Sequence, residues 1–267
     1  MFGRADRDRR SRRPILAWLG FVLMVLSFVW LQFLPPILRR QAVNSPATDE
    51  PFALVVLDPG HGGQDSGTMK AGILEKELAL DVAHRAERLL QERGFATLLT
   101  RNDDTYVSLA GRAAIANEQS HCIFISIHFD DAARPAATGV ETYYAAHQTS
   151  SNPMRVLSWL LFLHRTAFEP PNAESQSLAS VIQEALVTHT QAMDRGTTPQ
   201  QFFVIANVRH PAVLVEGGFL TNAEEMNKLA TGDYREQIAE AISDGVVRYR
   251  EMLREQRTPL AINLPGG

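Results

Sequence analysis

Three short apolar runs constrain this chain most, because each gives way to a residue that a buried strand tolerates poorly. Phe52–Leu57 is ended by Asp58-Pro59-Gly60-His61, Cys122–Ile127 leads into His128, and Ala212–Val215 leads into Glu216. Short, nearly continuous apolar runs bounded in this way read as strands buried on both faces. Phe95–Thr100 and Val140–Ala145 are two further strand candidates.

Helical periodicity fills the gaps. Glu75–Gln91 places Leu78, Val82, Ala86, Leu89 and Leu90 on one stripe, and Gly94 closes it. Ser108 is placed to cap a helix running to Asn117. Glu174–Met193, Asn222–Leu229 and Tyr234–Leu253 read as the remaining helices. Strands alternating with helices predict an α/β fold, a mostly parallel twisted sheet with helices on both faces. Open sheets of this kind hold their sites beyond the carboxyl ends of the strands. His61, His128 and Glu216 are therefore expected to meet in one crevice.

Cys122 is the only cysteine, which excludes an internal disulfide and a cysteine metal cluster. Any metal must rest on histidine and carboxylate. Glu75 opens a helix directly after a glycine-rich loop, so it is placed to face back toward His61. With His128 this makes two nitrogens and one carboxylate, a donor set of catalytic zinc sites that leaves a fourth position for water. Spacing alone leaves each histidine open to an ordinary buried or exposed role, and leaves Glu77 as an alternative to Glu75. His84, His121, His147, His164, His189 and His210 fit no such grouping.

The residues around these positions carry a resemblance. Leu57-Asp58-Pro59-Gly60-His61-Gly62-Gly63-Gln64-Asp65-Ser66-Gly67 resembles the opening motif of zinc-dependent N-acetylmuramoyl-L-alanine amidases, the AmiC-like peptidoglycan hydrolases. Glu75-Lys76-Glu77 is similar to the family's second-ligand element, and Ser126-Ile127-His128 to its third. Thr100–Asp104, Leu109–Arg112, Gly139–Tyr144 and Asp194-Arg195-Gly196 follow in family order, and Pro211–Asn222 ends the match with the glutamate at 216. The resemblance covers about residues 53–250. It implies Zn2+ held by His61, Glu75 and His128, with Glu216 as the catalytic carboxylate. The implied reaction is hydrolysis, by zinc-activated water, of the amide between the lactyl group of N-acetylmuramic acid and L-alanine of the stem peptide. Two places depart from the family: Phe129-Asp130-Asp131 replaces its usual Ala-Asn, and Gly217 is smaller than the usual residue there. Asp58 reads either as orienting a ligand or as stabilising its turn, and Arg195 either as a salt bridge or as a substrate contact.

The amino-terminal segment addresses location. Ile15–Leu34 is a run of 20 residues whose clearly polar members are Ser27 and Gln32. As a helix it would extend about 30 Å, the thickness of a bilayer core. Six arginines in residues 1–14 favour a cytoplasmic amino terminus, with the rest exported. The expectation is a basic segment at 1–14, an uncleaved signal anchor at 15–34 and a linker at 35–51 reaching at most about 60 Å. The catalytic domain follows at 52–254 and a tail at 255–267. Ser11-Arg12-Arg13 also resembles a twin-arginine export signal, and cleavage remains the alternative to anchoring. The location expected is the periplasmic or extracytoplasmic side of the inner membrane.

Charge narrows the partners. Eight of the 26 basic residues but only two of the 30 acidic ones lie in residues 1–40, so the remainder carries a formal −10. An acidic body has no positive field for nucleic acid, and peptidoglycan is the expected substrate. Residues 148–173 interrupt the family pattern and include Trp159-Leu160-Leu161-Phe162-Leu163. Three readings stand: a packed helix, an apolar patch for a partner or membrane, or a regulatory lid over the zinc displaced by a protein activator, as in some division amidases, with Glu169 or Glu174 as the blocking carboxylate.

Overall fold

The computed structural model describes residues 50–131, 134, 136–148 and 172–257. The expected anchor at 15–34 lies outside them, as do all but the last two residues of the linker and most of 148–173. Among the described residues no helix is long and apolar enough to cross a membrane.

The first apolar run forms β1 (Leu54–Pro59), an interior strand of a six-stranded sheet. A short hairpin of β2 (Met69–Lys70) and β3 (Ile73–Leu74) leads into α1 (Glu75–Glu92). Then come β4 (Ala96–Leu99), α2 (Leu109–Asn117), β5 (Cys122–Asp130) and β6 (Val140–Tyr144). The chain continues through α3 (Ala173–Thr190), β7 (Asp194–Pro199), α4 (Phe203–Ala206) and β8 (Ala212–Phe219). It ends on α5 (Ala223–Leu229) and α6 (Gly232–Arg257), the latter running three residues into the stretch expected to be tail.

The strand order is β4-β1-β5-β8-β6-β7. All neighbours are parallel except β8 and β6, so the mostly parallel sheet holds, with β6 and β7 reversed. Alternation along the strands sorts the two faces. Val55, Leu57, Ile123, Ile125, Ile127, Val213 and Val215 meet Leu78, Val82 and Leu90 of α1, Leu178 and Ile182 of α3, and Ile238 and Ile242 of α6. Val56, Phe124, Ala212 and Leu214 meet Ala113 and Ala116 of α2 and Val204 and Ile205 of α4 on the other face. Each fully buried valine, leucine, isoleucine or phenylalanine among them contributes roughly 1.5–3 kcal/mol. Gly245 lets α6 approach α3 closely, since a Cβ there would lie 2.9 Å from the Ile182 Cα.

The strand ends differ from the sequence expectation. His61 does follow its strand, but His128 and Glu216 lie inside β5 and β8. The ladder continues past both because they pair with each other in register.

Candidate active site

The β2–β3 hairpin delivers Glu75 to the first position of α1. Its amide donates to the Thr68 carbonyl at 2.9 Å, and its Oε2 accepts from the Thr68 amide at 2.8 Å. A carboxylate at this end also faces the positive pole of the helix dipole. Its Oε1 is bracketed by His61 Nε2 at 3.0 Å and His128 Nδ1 at 2.9 Å, and accepts the Phe129 amide at 3.2 Å. Burial opposes ionisation of Glu75, but the hydrogen bonds and charges of His128 and His61 overcome it and hold the carboxyl well below its usual range.

The three expected ligands therefore converge, with one donor atom of each lying within 4.8 Å of the others. Two imidazoles and a carboxylate are a fitting donor set for a borderline divalent ion such as zinc. His61 turns its other nitrogen to Asp65 Oδ2 at 2.9 Å, the outer carboxylate contact that fixes an imidazole's tautomer and ring plane. Glu77 is exposed and has no part in the cluster.

Behind the ligands lies a buried charge network. Asp58 accepts from Ser126 Oγ at 2.7 Å, Thr100 Oγ1 at 2.5 Å and Arg112 Nη1 at 2.7 Å. Arg112 also donates to the carbonyls of Pro59 and His61, and Arg101 to those of Pro59, Gly60 and Lys76. The two readings of Asp58 thus merge: it anchors Arg112, and Arg112 holds the turn that carries His61 in a left-handed conformation (φ 59°).

Glu216 sits on the same sheet face as His128. The residue is partly exposed, yet its Oε2 is covered and has no hydrogen-bond partner among the described residues. Burial first, then the nearby carboxylates Glu75, Asp130 and Glu141, raises its pKa well above 4.5. A carboxylate that ionises reluctantly beside a candidate set of metal ligands is suited to carry a proton in both directions. Glu225 stitches the far end of β8 to the start of β6, accepting from the Phe219 and Gly139 amides at 2.7 Å each.

A family description for N-acetylmuramoyl-L-alanine amidases matches residues 55–248. The chain belongs to the N-acetylmuramoyl-L-alanine amidase family. Amidase AmiA of Escherichia coli (strain K12) is 30% identical over 228 residues, covering 76% of this chain and 78% of that protein. Amidase LytC of Bacillus subtilis is 35% identical over 195 residues, covering 73% of this chain but 35% of LytC. Among solved structures, an N-acetylmuramoyl-L-alanine amidase from Clostridium difficile 630 superposes with a TM-score of 0.63 at 32% identity, covering 76% of this chain and 98% of that one. Membership makes the chain a peptidoglycan hydrolase of the N-acetylmuramoyl-L-alanine amidase class.

Sequence reasoning missed several residues of this amidase fold that shape the site. Asp65 stood inside the quoted motif, four residues after His61, without a role assigned. Arg112 stood inside another, and Glu141 in a third. Each acts on a partner far away in the chain or across a turn, and such pairings have no sequence period.

Proposed function

We propose that this chain hydrolyses the amide joining the lactyl group of N-acetylmuramic acid to L-alanine of the stem peptide, with zinc held by His61, Glu75 and His128. The observation that carries this reading is the placement of Glu216, a partly exposed carboxylate whose covered Oε2 has no hydrogen-bond partner among the described residues, beside three converging ligands. Bound zinc supplies Lewis acidity to the scissile carbonyl and to a water molecule. Glu216 takes a proton from the attacking water and gives it to the departing nitrogen. A carbon–oxygen bond forms, the carbon–nitrogen bond breaks, and the products are a lactyl carboxylate and a free alanine amine. Asp65 orients His61, while Arg112 and Arg101 hold the turn that presents it.

The arginine-rich start and the apolar run at 15–34 support tethering to the inner membrane, with the catalytic domain at 52–254 in the periplasm. Control through residues 148–173 by a protein activator, in cell division, is the reading we favour for that insertion. The CwlD amidase of Clostridioides difficile, 25% identical, was solved in complex with the GerS lipoprotein, so a similar chain is known with a protein partner bound. The test of the reaction is a soluble N-acetylmuramoyl peptide. Mass analysis should find N-acetylmuramic acid and a peptide beginning with free L-alanine; scission within the peptide instead would contradict the proposal.

A further inference from the structure

Arg195 stands at the end of a row of side chains that begins at the candidate ligand His128. His128 on β5 pairs in register with Glu216 on β8, and Glu216 pairs with Glu141 on β6. Between β6 and β7 the register then shifts, so that Arg195 and Gly196 share the step opposite Glu141. Irregularities of this kind re-aim side chains beside sites. Here the shift brings Arg195 Nε to 3.2 Å from Glu141 Oε2.

The guanidinium is held but not used up. Its carbon lies 4.9 Å from the centre of the Phe219 ring, a buried aromatic three residues beyond Glu216. Glu141 has a second donor, Thr198 Oγ1 at 2.7 Å, so the arginine does not satisfy it alone. Arg195 is 36% exposed, and among the described residues neither of its Nη groups has a hydrogen-bond partner. One edge is fixed on Glu141, one face rests on Phe219, and the planar fork that matches a carboxylate is left open.

Its surroundings give the fork a purpose. Glu75, Asp130, Glu141 and Glu216 crowd four carboxylates onto neighbouring positions of this crevice and make it acidic. An anionic substrate group would be repelled elsewhere along it. The other cations of the site are committed: Lys76 to the Gly63 carbonyl and Asp104, Arg101 and Arg112 to buried carbonyls.

We propose that Arg195 is a specificity residue whose two Nη groups receive a carboxylate of the stem peptide as the lactyl amide is presented to Glu216. This rests on the amidase reaction proposed above, and it adds which part of the peptide is recognised.

The experiment measures kcat and KM with a soluble N-acetylmuramoyl peptide bearing free carboxylates and with the same compound after their conversion to carboxamides. Wild-type protein should prefer the carboxylate form by about tenfold or more in kcat/KM, mainly through KM, as expected for a charge-assisted pair. Arg195→Ala should bring that ratio close to one. Arg195→Lys keeps a charge beside Glu141 but lacks the fork, so it should fold like wild type and give an intermediate ratio. A wild-type ratio near one, or variants that slow both compounds equally, would overturn the assignment and leave Arg195 a structural partner of Glu141. Wild-type protein that cleaves neither compound at the lactyl amide would instead overturn the reaction itself, and the assignment with it.

Discussion

His128 and Glu216 are register partners on adjacent parallel strands, so a candidate metal ligand and the carboxylate proposed to carry the proton share one face of the sheet. Local geometry at this step of the ladder sets how the two work together.

Glu216 links activity to stability through pH. Burial and three neighbouring carboxylates raise its pKa well above 4.5 in the metal-free protein. A raised carboxyl pKa means that the folded state holds the proton more tightly than the unfolded chain. The stability this provides is complete below about pH 4.5 and is lost as pH rises through the folded value. Glu216→Gln stays neutral throughout, so the metal-free variant should resist denaturant better than metal-free wild type at about pH 7–8. The gap should close as pH falls toward about 4. Equal midpoints at neutral pH would show that charging Glu216 costs the fold nothing.

Gly60 leaves room for the His128 ring. A Cβ at this position would lie 2.6 Å from His128 Nε2 and 2.7 Å from Nδ1. Gly60→Ala should therefore displace the imidazole and weaken zinc binding by about 10–100-fold, the usual effect of disturbing a ligand's support. Competition with a chromophoric chelator measures this; an unchanged affinity would place His128 outside the metal site.

Arg112 neutralises Asp58 in the interior, both side chains being at most 3% exposed. Arg112→Ala leaves a buried carboxylate without its cation and should cost about 3–5 kcal/mol in denaturant unfolding. It also frees the Pro59 and His61 carbonyls, so zinc affinity should fall in whatever protein remains folded. A loss below about 1 kcal/mol would mean that the ion pair contributes little beyond its packing.

Cys122 should be inert. Burial pushes its thiol up to about 12, leaving roughly one thiolate in ten thousand at pH 8. A thiol reagent should label the protein only after denaturation, and rapid labelling of the native state would contradict the packing of β5.

Much of this was legible in the sequence, for identifiable reasons. The central strands β1, β5 and β8 are apolar on both faces, and that composition is visible without tertiary knowledge. Strand β7 was not foreseen, because Asp194–Pro199 lies at the sheet edge, partly exposed, with no apolar run to mark it. The reversal of β6 was equally hidden, since strand direction depends on the path of the connection rather than on residues in the strand. His61, His128 and Glu216 were singled out by their placement after apolar runs, Glu75 by its place at a helix start behind the glycine-rich loop, and all four by motif order. Arg112 and Glu141 act through partners 51 and 54 residues away in sequence, a coupling that only the folded chain displays.

The central claim is a division of labour: His61, Glu75 and His128 hold zinc, and Glu216 moves the proton. It is tested most directly by measuring zinc content and muropeptide release on the same preparations of wild type and Glu216→Gln, each stripped by chelator and reloaded. Both proteins should bind one zinc per chain, and wild type alone should release peptides beginning with L-alanine, with the variant slower by about 10²–10⁴-fold. Near-wild-type turnover by Glu216→Gln, or wild-type turnover that survives removal of the metal, would contradict the account.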